Sequence, residues 1–357
     1  MKRKLLALTM ALLMLGGALA GCGQKSTETS PAPETAAPET SAPVETTAQP
    51  TQETGDTVRF AVLNGPTGVG AAKLMADSDA GTTANSYNVE VFTANDQVAA
   101  GLTNGEIDIA AVASNVAANL YNKTDGGIQM LAVSGLGVLY ILENGDTVHS
   151  MADLAGRTIY ATGQGANPEY VLNYLLTENG VDPADVDIQW KTGDEITTLM
   201  VSGEADLCML PVPAATAVQL KNADVREALD LSAEWDNLQN GSHLTMTTIV
   251  ARTDFIEENP QAVENFLSDY AASVEFMNDP DNLALSSDEN PAQLVASYGI
   301  TANAQIAEAA IPKCALVCIT GASDMRSAIQ GYYEVLYQAN PDSIGGGIPD
   351  DAFYYEG

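Results

Sequence analysis

Basic residues are scarce in this chain: 14 Lys and Arg stand against 47 Asp and Glu over 357 residues, a formal charge of −33. A field of that sign repels nucleic acid and anionic membrane surfaces, and it steers small anions poorly. Neutral or cationic solutes suit it better. Histidine is rarer still, with only His149 and His243. Neither stands at a recognisable spacing from Ser, Asp or Cys, so no nucleophile–base arrangement can be read and no catalytic residue is assigned. Cysteine is limited to four positions. Cys208 lies in an apolar run and reads as a buried thiol. Cys314 and Cys318 are four apart, out of disulfide reach on a strand and close only on a helical turn. Without a neighbouring histidine they make no metal site, and both are read as buried thiols. No metal, cofactor or disulfide framework is expected. Past Leu5–Leu15, no run is long and apolar enough to cross a bilayer.

What the chain does have begins with an address. Lys2-Arg3-Lys4 followed by Leu5–Leu15 forms a basic and then an apolar region, which reads as an export signal over residues 1–21. Leu19-Ala20-Gly21-Cys22 resembles a bacterial lipobox, which implies acylation at Cys22 and a lipid anchor on the extracytoplasmic face of the cell membrane. Residues 22–56 alternate Pro with Glu, Thr, Ser and Ala. Such a segment buries too little apolar surface to offset its ordering entropy. It reads as a disordered tether, able to span on the order of 100 Å if polyproline-like.

The folded part is organised around a repeat. Gly105-Glu-Ile-Asp108 begins a run to Leu120, and Gly203-Glu-Ala-Asp206 begins a like run to Val218, ninety-eight residues on. In each copy a glycine closes a short helix, where a left-handed conformation costs no Cβ clash. A short apolar strand follows, then a turn, then an Ala-rich helix. The turns are Ser114-Asn115 in one copy and Pro211-Val212-Pro213 in the other. The likeness extends upstream. Val58–Leu63 leads into Asn64-Gly65-Pro66-Thr67-Gly68, and Thr158–Ala161 leads into Thr162-Gly163-Gln164-Gly165-Ala166-Asn167-Pro168. Neither Gly-rich turn carries a phosphate-loop Gly-Lys-Ser/Thr ending or a dinucleotide fingerprint. Tight-turn geometry and the cradling of a ligand by bared N–H groups both remain open for them.

Two α/β lobes follow, with lobe 1 starting at 57–146, lobe 2 at 147–243, and 244–357 returning to lobe 1 with the C-terminal helices. The first crossing is expected near the Glu143–Asp146 turn and the return on the β-branched run Leu244–Ala251. Asn95 or Thr93 is expected to cap one helix and Asp194 another. Val263, Phe266, Leu267, Tyr270 and Val274 form the apolar stripe of a long helix. The tail to Tyr355 is expected to dock through its aromatics.

The signal, Pro/Thr tether, double crossing and paired Gly-Glu-x-Asp strands, with Asp153-Leu-Ala-Gly-Arg157 opening the second lobe, resemble the solute-binding lipoproteins of bacterial ABC importers. The likeness is to the branch serving nitrate, sulfonates, taurine and thiamine precursors. It implies a two-lobed type II periplasmic-binding fold with a hinge and an inter-lobe cleft. A monomer that captures a small-molecule solute without chemistry and hands it to an ABC permease is implied. Ligands in open parallel sheets sit beyond the carboxyl ends of the strands. Carried onto this chain, one wall comprises Asn64, Gly65, Pro66, Thr67, Gly68, Asn95, Ser114 and Asn115. Gln164, Gly165, Ala166, Asn167, Pro211, Val212 and Pro213 form the other. These are amides, hydroxyls and backbone, suited to a polar neutral molecule; Tyr140, Tyr160, Tyr170 or Trp190 offers a ring to stack on. The chain departs from the family in having no arginine in these turns. An enzyme on the same architecture, or a ligand-loaded partner of a sensor protein, is the alternative.

Overall fold

The computed structural model describes residues 57–357; the export signal, Cys22 and the Pro/Thr tether lie outside them. The chain opens with β1 (Thr57–Leu63), α1 (Pro66–Asp79), β2 (Ser86–Phe92), α2 (Asn95–Thr103), β3 (Ile109–Ala113), α3 (Ser114–Lys123) and β4 (Ile128–Leu136). It continues through β5 (Leu139–Asn144), β6 (Thr158–Ala161), α4 (Asn167–Glu178), β7 (Asp187–Trp190), α5 (Gly193–Ser202), β8 (Leu207–Pro211) and α6 (Ala214–Lys221). Then come β9 (Val225–Asp230), α7 (Leu231–Asn237), β10 (Thr245–Arg252), α8 (Thr253–Glu258), α9 (Pro260–Asn278) and α10 (Pro280–Leu283). The last elements are α11 (Pro291–Ser297), α12 (Ala304–Ala310), β11 (Leu316–Ile319) and α13 (Ala322–Ala339).

Two sheets result, ordered β2-β1-β3-β10-β4-β11 and β7-β6-β8-β5-β9. Their logic is the same. In each, three parallel strands are followed by one antiparallel strand that has come from the other lobe's side of the chain. Even the register repeats, Phe60↔Ile109 and Ala61↔Ala110 in one sheet against Tyr160↔Cys208 and Ala161↔Met209 in the other.

The first crossing falls between Leu136 and Leu139, because β5 already pairs with β8 and β9. It therefore precedes the Glu143–Asp146 turn where the sequence suggested it. That turn is instead held by Glu143, whose carboxylate accepts from the Thr147 and Val148 N–H groups. On the return, β10 pairs with β3 and β4.

Helices cover both faces of the two sheets, and one apolar core lies on each face. The first core joins β1, α1, α9 and α11 to Ile196 and Met200 of α5 and Val218 of α6. The second joins α2, α3 and α13 to Val171 and Leu175 of α4 and Trp235 of α7. Along α9, Val263, Phe266, Tyr270 and Val274 are buried as the stripe required, with Leu267 partly so. The helix ends obey local chemistry, though not always at the residues anticipated. Thr192 and Glu195 form the capping box of α5, and Asp194 sits in its first turn without capping. The N-cap of α2 is Ala94 and makes no side-chain bond.

The tail docks on lobe 1. Phe353 and Tyr354 are buried, the Tyr355 N–H donates to the Met130 carbonyl, and Tyr121 Oη donates to Asp350. Among the described residues no helix is long and apolar enough to cross a membrane.

Candidate ligand cleft

The carboxyl ends of β1, β3, β6 and β8 face the opposite sheet, as the contact between the tips after β3 and β6 shows, and each strand hands over to a helix that begins there. Helix starts carry unpaired N–H groups, so every one of these tips needs an acceptor. How each tip finds one separates the expected site residues into three groups.

The first group is spent on local structure. Thr67 Oγ1 accepts from the Leu63 N–H at 3.1 Å and donates to the Leu63 carbonyl at 2.9 Å, pinning the turn from below. A Cβ at Gly68 would lie 2.9 Å from the Leu63 oxygen and 3.0 Å from Ile300, so the glycine permits a close packing contact. Ala166 and Pro213 are N-caps of α4 and α6. Val212 is buried and donates its N–H to the Val138 carbonyl in the crossing segment.

The second group is brought together across the lobes. Ser114 and Asn115 at the tip of α3 meet Asn167 at the tip of α4, all three buried. The Asn167 N–H donates to Asn115 Oδ1 at 3.1 Å, and the Asn115 N–H donates to Asn167 Oδ1 at 3.3 Å. Asn167 Nδ2 donates to Ser114 Oγ at 2.8 Å and to the Met246 carbonyl at 2.7 Å. Ser114 Oγ in turn donates to the Thr245 carbonyl, and Tyr333 Oη donates to the Ser114 carbonyl.

The third group stays open to solvent. Asn64 and Gln164 are exposed, as is Gly165, whose N–H donates to Glu169; Gly65, Pro66 and Pro211 are half-buried. Gly65 has a φ of 114°, open to glycine, and its carbonyl accepts from the Gly68 and Val69 N–H groups, so its backbone makes the turn itself. Asn95 is half-buried, and its Oδ1 is buried with no hydrogen-bond partner. Of the aromatics, Tyr140 is buried with Lys313 Nζ 5.4 Å from its ring centre, while Tyr160, Tyr170 and Trp190 are half-buried.

Sequence reasoning overlooked a stripe of asparagines along α3. Asn115, Asn119 and Asn122 donate to the carbonyls of Ser343, Asp342, Ile344 and Gly347 in the tail. Their spacing of four and three places them on one helix face, which is the signal that could have found them. A second overlooked seam is aromatic: Tyr174 of α4 packs tilted against Trp235 of α7, ring centres 4.8 Å apart, and Trp235 against Tyr332 of α13 at 5.4 Å.

The arginines sit elsewhere. Arg59 and Arg252 hold Asp108, while Arg226 and Arg157 hold Glu143, both clusters lying at the strand ends away from the cleft. Arg326 pairs with Asp351. Every arginine among the described residues is thus engaged by a carboxylate. Burial pushes Asp108 and Glu143 toward the neutral form. Hydrogen bonds from Arg59 for Asp108, and from Thr147 and Val148 for Glu143, outweigh it and hold both below the usual carboxylate range. Two surface depressions, of about 540 and 650 Å³, share no residue with the expected cleft walls. No group of three His, Cys, Asp or Glu among the described residues is placed to hold a metal.

Two lobes of one topology, joined by two crossing strands with helix tips meeting in the gap, define the two-lobed type II periplasmic-binding fold. The comparisons agree. Residues 134–283, which run from β4 through the second lobe to α10, match the family described as NMT1/THI5 like. Among solved structures, an ABC transporter protein from Parabacteroides distasonis is similar at 23% identity and a TM-score of 0.67, over 84% of this chain and 99% of that one. The periplasmic aliphatic sulphonate-binding protein SsuA from Escherichia coli is similar at 16% identity and 0.65, over 84% and 92%. The ligand-binding component of an ABC-type import system from Staphylococcus aureus, with zinc bound, gives 14% and 0.59, over 84% and 97%. No curated protein matches the sequence.

Proposed function

We propose that this protein is the extracytoplasmic solute-binding component of an ABC import system, tethered by lipid at Cys22. It captures a small polar solute between its lobes as a monomer and presents it to a membrane permease. The solute is neutral or cationic. The observation that carries this is the disposition of charge. Every described arginine is locked to a carboxylate, four of the five at the ends of the strands farthest from the cleft. The open cleft positions offer amide, backbone and carbonyl groups instead: Asn64, Gly65 and Pro66 on one wall, Gln164, Gly165 and Pro211 on the other. Asn95, with its unpartnered oxygen, belongs to the first wall.

Binding rather than catalysis fits the titratable groups. Burial pushes the thiols of Cys208 and Cys314 up to about 12 and that of Cys318 to about 11, which leaves them poor nucleophiles at neutral pH. His243 is exposed beside Asp236, and His149 is exposed near Asp146.

The test is a melting-temperature panel of pyrimidines, thiamine, riboflavin, amino acids, taurine and nitrate, with mass spectrometry of any molecule that co-purifies. A solute present at 100 times its Kd stabilises by about 2.7 kcal/mol. A shift with nitrate alone would overturn the charge assignment. No shift with any of them, and no co-purifying molecule, would overturn capture itself.

A further inference from the structure

We propose that Asn115 and Asn167 are not solute contacts but positioning residues: together they latch the two lobes on one helix layer and leave the other layer for the solute. The purpose of the latch rests on the solute-binding reading above; its existence does not.

Asn167 uses its N–H, both Nδ2 hydrogens and its Oδ1, and every partner lies in the opposite lobe: Asn115, Ser114 and Met246. Neither asparagine caps its own helix, since the N-caps of α3 and α4 are Ala113 and Ala166 and neither makes a side-chain cap bond. The bonds between the lobes therefore substitute for local capping. Asn115 and Asn167 exchange N–H and Oδ1 reciprocally, so each helix start borrows its missing acceptor from the other. Two helix N-termini that face each other present like partial charges. The two amide oxygens placed between them supply the negative ends of dipoles there, and no bound anion is needed.

The other helix layer is different. Among the described residues no hydrogen bond joins the tip of α1 to the tips of α5 or α6, and a Cβ at Gly65 would meet nothing within 4 Å. The seam with the latch also carries the tilted ring contacts Tyr174–Trp235 and Trp235–Tyr332. The lobes are thus joined by polar bonds and aromatic packing at the helix tips of one layer; on the other they meet away from the tips, through the Lys313–Glu227 ion pair at 2.8 Å and the apolar core that includes Ala307, Ile311, Ala215 and Val218.

Asn167→Asp separates a latch from a fold requirement. A carboxylate in the first turn of α4 suits the helix itself. It cannot donate to the Met246 carbonyl, and it brings charge into a buried seam. Asn115→Ala removes the reciprocal acceptor. Asn119→Ala, one turn along α3 and bonded only to the Asp342 carbonyl, is the control.

Small-angle scattering and amide exchange on the whole protein, with no added solute, read the outcome. For Asn167→Asp and Asn115→Ala we expect a larger radius of gyration with far-UV dichroism retained. Exchange at residues 114–117 and 167–170 should rise about tenfold, the mark of local opening. Any solute that shifts the wild-type melt should bind about tenfold more weakly, as when the closed population falls to about a tenth. Asn119→Ala should behave as wild type. Wild-type scattering and exchange in both latch variants would overturn the latch; if Asn167→Asp does not fold, Asn115→Ala decides. Expanded variants with a wild-type protein that binds nothing would keep the latch and sink the solute reading. Unexpanded variants with intact solute binding would do the reverse.

Discussion

Asp108 and Asp206 occupy matching places in the two lobes, yet they do different work. Both follow a glycine in the left-handed conformation, Gly105 at φ 73° and Gly203 at φ 76°. Both carbonyls accept from the antiparallel strand beside them, Asp108 from the Arg252 N–H and Asp206 from the Asn144 N–H. The side chains diverge. Asp108 is buried between Arg59 and Arg252, whereas Asp206 is exposed. In lobe 2 the buried acid is Glu143, one strand over, held by Arg226 at 2.6 Å. The repeat is therefore a repeat of backbone geometry. Each lobe found its own place to bury one carboxylate, and a shared motif did not bring a shared side-chain role.

The sharpest way to break this comparison is to remove the acids. Asp108→Ala should cost about 3 kcal/mol, because it takes the carboxylate from Arg59 and its backbone N–H and one of two carboxylates from Arg252, which keeps Asp254. Asp206→Ala should stay within about 0.5 kcal/mol. Urea denaturation of both variants checks it, and equal losses would mean that the two sites are equivalent after all. Glu143→Gln ranks next, at about 2–3 kcal/mol, since charge-assisted bonds from Arg226, Thr147 and Val148 are weakened together.

The pH dependence follows from the same pair. Asp108 and Glu143 have folded-state values below their unfolded ones. Their contribution is present above the ordinary carboxylate range near pH 4 and is lost as pH falls through the depressed values. Stability measured from pH 6 downward should drop more steeply in wild type than in Asp108→Asn. Smallest is the effect that should be shared. Gly105→Ala and Gly203→Ala should each cost about 1 kcal/mol, since an alanine in the left-handed region clashes in both lobes alike. A large difference between the glycine variants would show that the backbones are not equivalent.

Much of this was legible in the chain. The Gly-Glu-x-Asp repeat, the two Gly-rich turns and the alternation of strand and helix announced two like lobes, because turn chemistry and periodicity are local. The crossing was misplaced for the same reason. Glu143-Asn-Gly-Asp146 has strong turn residues, whereas the actual crossing at Gly137-Val138 sits between two apolar runs with little to mark it. The cleft walls were legible as a set of turns but not as a set of roles. Thr67 and Gly68 look as available as Asn64 in sequence, yet they are consumed by the Leu63 carbonyl and Ile300.

By itself the sequence determined most of the strands and helices of the two repeated units, and that the turns after β1, β3, β6 and β8 lie at the carboxyl ends of their strands. Hydrogen-bonding pattern and apolar period suffice for that. Only the tertiary structure decided whether an asparagine in those turns faces solvent or another asparagine. An amide satisfies a solute and a distant helix tip with the same atoms, and Asn115 and Asn167 are 52 positions apart until the lobes fold together.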